Sequence, residues 1–172
     1  MRSHWLVPMM FTFVAGCAGS VPTVMGVAAP RVAGRLMTPQ GLAPAPGGTV
    51  NLGADPRFAL RLDAESPAYV YLLRCSAGPC QVAMGEPHRV QPGVPLLLSG
   101  PGGWLSMAQT PSEELRVLAS AAPLSAADIA ERGESMARRE PETTTPDKRG
   151  AEELVVYADR GVAVLTVILK KN

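Results

Sequence analysis

Residues 57–74 read Arg57-Phe-Ala-Leu-Arg-Leu-Asp-Ala-Glu-Ser-Pro-Ala-Tyr-Val-Tyr-Leu-Leu-Arg74. In the first half, Phe58, Leu60 and Leu62 alternate with Arg57, Arg61 and Asp63, the period of two that turns one face of a strand to a core and the other to water. Ala64 to Pro67 interrupts the run. From Ala68 to Arg74 the pattern changes: Val70 and Leu72 lie on one side, and Tyr69, Tyr71 and Leu73 on the other. Both faces of that strand need cover, which places it inside a sheet rather than at its edge.

Working outward, Gln81–Met84 and Arg89–Val90 are shorter strand candidates divided by Gly85-Glu-Pro87. Leu96–Leu98 and Trp104–Met107 flank a Ser99-Gly-Pro-Gly-Gly103 turn, and Glu114–Ser120 alternates with Leu115, Val117 and Ala119 on one side. Leu154–Ala158 and Val162–Leu169, joined by Asp159-Arg-Gly161, form the clearest hairpin, because Gly after a polar pair supplies the positive φ such turns require. A single helix is expected after Ser125, an N-cap with Asp128 three residues on and an end at Gly133. Residues 138–150 are polar and read as a loop. The fold class is therefore all-β or β-rich, a sandwich of short antiparallel strands with one small helix, occupying residues 49–172.

The N-terminus has a different composition. Arg2 precedes an apolar stretch from Trp5 to Val14, followed by Ala15, Gly16 and Cys17. The stretch is too short for a bilayer-spanning helix, which needs about 20 residues, and has the layout of a signal peptide over residues 1–16. The Val14-Ala-Gly-Cys17 ending resembles the lipobox of bacterial lipoproteins, which implies cleavage before Cys17 and acylation of that residue. Each buried methylene is worth about 0.8 kcal/mol, and several chains on one residue make a stable anchor. Ala18 stands where an aspartate would, by resemblance, favour inner-membrane retention, so the expected location is the cell envelope, on the outer membrane facing the periplasm. Residues 17–48 hold Pro22, Pro30, Pro39, Pro44 and Pro46 without a sustained period, and read as the lipidated N-terminus and a flexible tether, of which residues 18–34 alone would reach roughly 50 Å.

Composition excludes several classes. Sixteen Lys and Arg against fifteen Asp and Glu give a formal charge of +1, and removal of Arg2 with the signal peptide leaves fifteen of each. No basic excess remains to release counterions from a nucleic acid. Of three cysteines, Cys75 and Cys80 enclose a four-residue turn directly after the central strand. Facing residues of a hairpin lie within disulfide reach, and an exported protein meets an oxidising compartment. A structural disulfide is favoured over a redox pair, which more often has two intervening residues, and over a metal site with His88, which lacks a fourth ligand.

Nucleophilic catalysis needs a base beside the nucleophile, and His88 is the one histidine after residue 17. No glycine-framed serine elbow occurs, and Gly100-Pro-Gly-Gly103 precedes a strand rather than a helix, making it a poor phosphate cradle. Glu113–Glu114, Arg138–Arg139 and Glu152–Glu153 have the character of solvated charged pairs. Tyr69, Tyr71 and Trp104 could line a binding surface, although aromatic residues on central strands usually pack inside. No catalytic residue, cofactor or metal ligand is assigned from these patterns.

The strand around Phe58, the Tyr69-Val-Tyr-Leu-Leu73 strand with its glycine-containing turn, Gln91-Pro-Gly93, and above all Glu114-Leu-Arg-Val-Leu-Ala-Ser-Ala-Ala-Pro-Leu124 resemble the domain-of-unknown-function family numbered 4384. The resemblance spans about residues 50 to 130. It implies a β-rich appendage module of bacterial envelope or signalling proteins without an agreed enzymatic activity. The Cys75-Ser-Ala-Gly-Pro-Cys80 turn departs from that pattern. The expected function is a non-catalytic envelope lipoprotein whose sandwich is an interaction or assembly module, held to the membrane by its anchor and meeting an envelope protein partner. The alternative is an envelope hydrolase of a cell-wall polymer, in which His88 would be essential.

Overall fold

The computed structural model describes residues 28–44, 48–75, 79–85, 87–135 and 154–171. Residues 1–16, where a signal peptide is expected, Cys17 and the polar stretch 138–150 lie outside the described residues. Two sheets pack face to face as a β-sandwich, with one α-helix. The first sheet has the order β2 (Gly41–Leu42), β1 (Val32–Thr38), β4 (Arg57–Ala64), β8 (Leu96–Leu98), with β9 (Leu105–Ser106) also on β4. The second runs β11 (Val155–Asp159), β12 (Val162–Lys170), β10 (Ser112–Ser120), β5 (Ala68–Cys75), β6 (Gln81–Val82). Short strands complete its flanks: β3 (Thr49–Asn51) pairs with β12, and β7 (His88–Val90) with β5.

Alternation decides which side chains meet. Phe58, Leu60 and Leu62 of β4 are fully buried, and the inner faces of the second sheet supply Val70 and Leu72, Leu115 and Val117, Leu165 and Val167. Register brings these into rows, since Val117 faces Leu72 on one neighbour and Leu165 on the other. Each such side chain contributes about 1.5–3 kcal/mol relative to exposure. The outer face of the first sheet is solvated, with Arg61 and Asp63 half-exposed, as the alternation in β4 predicts. The second sheet is covered on both faces. Tyr71, Leu73, Leu118, Val162 and Val164 form a separate apolar layer on its outer side, joined by Leu124 and by Ile129 of α1 (Ala126–Ser135).

Local chemistry fixes the helix and the turns. The Ser125 amide and hydroxyl both donate to Asp128 Oδ2, at 3.1 and 2.6 Å, and the Asp128 amide donates to Ser125 Oγ at 3.1 Å, a reciprocal cap that satisfies otherwise orphaned donors. The Ser125 hydroxyl and amide hold the Asp128 carboxyl below its ordinary pKa. The Leu124 amide donates to Tyr71 Oη at 2.7 Å, seating the helix entry on the sheet. The β11–β12 hairpin turns through Arg160 (φ 44°) and Gly161 (φ 80°), the paired positive values of a two-residue hairpin loop.

Several expectations are corrected. Residues 17–48 are not all tether, because Val32–Thr38 forms an interior strand paired with β4 from Val32↔Ala64 to Met37↔Ala59. Its inward positions are Val32, Gly34 and Leu36. The glycine obscures the alternation, and it is required: a Cβ there would lie 2.5 Å from Leu165 Cδ2 and 3.3 Å from Leu62 Cδ2. The pairing is not wholly antiparallel, since β3 runs parallel to β12. The strand expected over Gln81–Met84 spans Gln81–Val82, that over Trp104–Met107 spans Leu105–Ser106, and the helix passes Gly133 to end at Ser135.

Glu113 is also not solvated. Its position in β10 points between the sheets, where its side chain is 2% exposed. Its carboxylate accepts Arg74 Nε and, at 2.8 Å each, Arg74 Nη2 and the Ala108 amide. Arg74 Nη2 also donates to the Ser106 carbonyl of β9. A guanidinium of the second sheet thus ties to the backbone of the first and closes one end of the sandwich.

Two measurements test this packing. Gly34→Val should lower the unfolding free energy by about 1–3 kcal/mol through overpacking, seen as an earlier urea midpoint with unchanged slope. Glu113→Ala leaves Arg74 and the Ala108 amide without their acceptor, and should cost about 2–4 kcal/mol. Glu65→Ala, which removes only a solvent-exposed ion pair with Arg31, should cost less than about 1 kcal/mol in the same titration.

Candidate functional site

The flanks of the two sheets approach each other along one side of the sandwich. On the second sheet, β5 is covered piecemeal: β7 pairs with Ala68–Val70 and β6 with Leu73–Arg74. Between β6 and β7 the chain passes through Ala83, Met84 and Gly85, held by an Ala83 amide donating to the Leu72 carbonyl at 2.8 Å. On the first sheet, β8 and β9 lie end to end along β4, with Leu98 opposite Leu60 and Leu105 opposite Phe58. A tight turn joins them. The Gly103 amide donates to the Gly100 carbonyl at 3.0 Å, and a Cβ on Gly100 would lie 2.8 Å from the Trp104 carbonyl oxygen, so only glycine fits.

These two connections form the walls of an open groove of about 400 Å³. Met84, Ala83, Pro101 and Leu105 give it an apolar lining, and His88 and Ser99 supply its polar side chains. His88 stands half-buried at the start of β7, opposite Val70. An imidazole can donate and accept, and a hydroxyl likewise, so the groove can hydrogen-bond an extended peptide or another neutral polar group while burying an apolar substituent. Among the described residues, no carboxylate is hydrogen-bonded to His88 and no group of three or more His, Cys, Asp or Glu is placed to hold a metal ion.

The remaining residues singled out from the sequence separate by location. Cys75 and Cys80 are disulfide-bonded. The bond continues the β5–β6 ladder, whose pairs Leu73↔Val82 and Arg74↔Gln81 put Cys80 opposite Cys75. Its place is three residues from the groove wall at Ala83, so it anchors that wall to the central strand. Tyr71 belongs to the layer beneath α1. Tyr69 is half-buried at the margin of that layer, with Arg89 over its ring at 5.2 Å from the centroid, a cation–π contact. Trp104 is half-buried beside the Gly100 turn. The groove itself is not legible in the sequence, because Met84, Ser99 and Leu105 are brought together only by the pairing of β8 and β9 with β4. The disulfide and His88 were the parts of this region that residue type and spacing could signal.

Removing the bridge with Cys75→Ser and Cys80→Ser together should lower stability by about 2 kcal/mol, the chain-entropy value for so short a loop. Amide exchange should rise further in residues 81–85 than in β10 and β12, where it follows only the global loss of stability; equal acceleration in both would contradict a local anchoring role.

Comparisons of the chain with family models, with characterised proteins and with solved structures find no match.

Proposed function

We propose that this chain is a lipid-anchored protein of the bacterial cell envelope, on the outer membrane facing the periplasm, whose β-sandwich is a non-catalytic module for interaction or assembly. The observation that carries the reading is the join between the Arg2-to-Cys17 sequence, which resembles an export signal ending in a lipobox, and a body stapled by Cys75–Cys80. A cross-strand disulfide is at home in an oxidising compartment. Export through the signal would deliver the chain to one, so two separate features of the chain favour the same place.

The resemblance to the domain-of-unknown-function family numbered 4384 favours the same kind of module. The groove between the sheet flanks is the surface through which the module would engage an envelope protein. Its apolar lining with one imidazole and one hydroxyl suits a peptide segment of neutral side chains, and its open shape favours an extended segment over an enclosed small molecule.

Metabolic labelling with radioactive palmitate tests the anchor. Label should enter the wild-type chain and be absent from Cys17→Ser, and the variant should leave the membrane fraction. Unlabelled wild-type protein, or a Cys17→Ser variant that stays membrane-bound, would refute the lipid-anchor reading.

A further inference from the structure

We propose that the end of the sandwich formed by the turn Gln91–Val94 and by Leu97 rests on the surface of the phospholipid bilayer to which the chain is anchored. The inference rests on the reading of Cys17 as acylated and goes beyond it, because it assigns the orientation of the folded body and the residues that touch lipid.

Register locates this end. In the first sheet, Gly34 of β1, Leu62 of β4 and Leu96 of β8 share one row. Two residues further toward the same end stand Val32, where β1 begins, and Ala64. On β8 the corresponding direction leads back through Pro95 to Val94. The chain arriving from Cys17 therefore enters the sheet at the end from which the Gln91–Val94 turn projects, two strands away, or roughly 10 Å at ordinary strand spacing. Ten residues, 18–27, separate Cys17 from the first described residue. At about 3.3–3.6 Å per residue, that length keeps this end of the body within roughly 40 Å of the acylated sulfur.

The surface presented there is of the right kind. No charged side chain occurs between Arg89 and Glu113, and Gln91, Pro92, Gly93, Val94 and Pro95 are all exposed. Val94 is 63% and Leu97 50% exposed, the two highest values among the exposed large apolar residues described. The turn is rigid: Pro92 precedes Gly93 at φ 73°, and the Val94 amide donates to the Gln91 carbonyl at 3.2 Å, the arrangement of a type II turn. Around it stand Arg31 and Glu65, paired at 3.4 Å, Arg160 and Glu131, paired at 3.1 Å, Arg61 and Asp63, paired at 3.3 Å, and Arg89 over the Tyr69 ring, so the flanking charges set no excess of negative charge against a bilayer. Two apolar side chains on a rigid turn are too few to hold a free protein on lipid. A short leash changes the balance by raising the effective concentration of the surface at the turn.

The test uses the full lipidated chain in vesicles of phosphatidylethanolamine and phosphatidylglycerol, with a photoreactive benzophenone residue at Val94 or, at the opposite end of the first sheet, at exposed Gln40. Phospholipid adducts should form at position 94 in roughly tenfold excess over position 40, as expected for a surface held at the bilayer by its leash. Equal yields, or adducts at position 94 that in whole cells are with protein rather than lipid, would overturn the proposal. The mass of the N-terminal peptide separates the two readings: an unmodified Cys17 defeats the anchor and this orientation together, whereas an acylated Cys17 without lipid adducts at position 94 defeats only the orientation.

Discussion

The second sheet must be dry on both faces, and the remainder of the fold follows from that constraint. β5, β10 and β12 carry apolar side chains on each side, so a second sheet alone would leave half of them in water. The first sheet covers one face, and Leu124 with Ile129 of α1 covers part of the other. The cap at Ser125 and the bond from the Leu124 amide to Tyr71 matter because they hold a short amphipathic helix where it would not be stable alone. The first sheet has only one dry face, and accordingly its strands alternate.

That difference explains what the sequence revealed and what it concealed. The clean alternation in β4, the doubly apolar β5 and the hairpin through Arg160 and Gly161 were readable because each is a local pattern with a local cause. β1 was not, because its inward row is interrupted by Gly34, whose lack of a side chain is a response to Leu165 far away in the chain. Glu113 was misread for the same reason. Beside Glu114 it looks like half of a solvated pair, and only the arrival of Arg74 from β5 and of the Ala108 amide makes a buried carboxylate tolerable. Of the groove, Cys75, Cys80 and His88 were visible as residue types, while the wall contributed by Ser99, Pro101 and Leu105 depends on two short strands lying in line along β4.

The two ends of the sandwich differ in character. One is closed by the Arg74–Glu113 pair with the disulfide beyond it, the other by the uncharged Gln91–Val94 turn, the hairpin turn through Arg160 and the entry of the chain. Charge is buried and satisfied where the body is sealed, and absent from the Gln91–Pro95 surface at the other end. The groove runs along a flank between these ends, so a segment bound there would leave both ends free. The anchored module we propose would need this division, since the surface that meets a partner cannot also be the surface pressed against its support.

The position of β12 carries a consequence for how the molecule is made. It is the last of the described strands in sequence order, yet it stands inside the second sheet, between β10 and both β11 and the early strand β3, and its Leu165 fills the space that Gly34 leaves open. Neither sheet can reach its final packing until β12 has been made, so the strands that precede it must wait for it. Pairings between such distant segments close slowly. During that interval the apolar strands are open to aggregation and proteolysis, which makes the newly synthesised chain, rather than the finished sandwich, the state most in need of a chaperone.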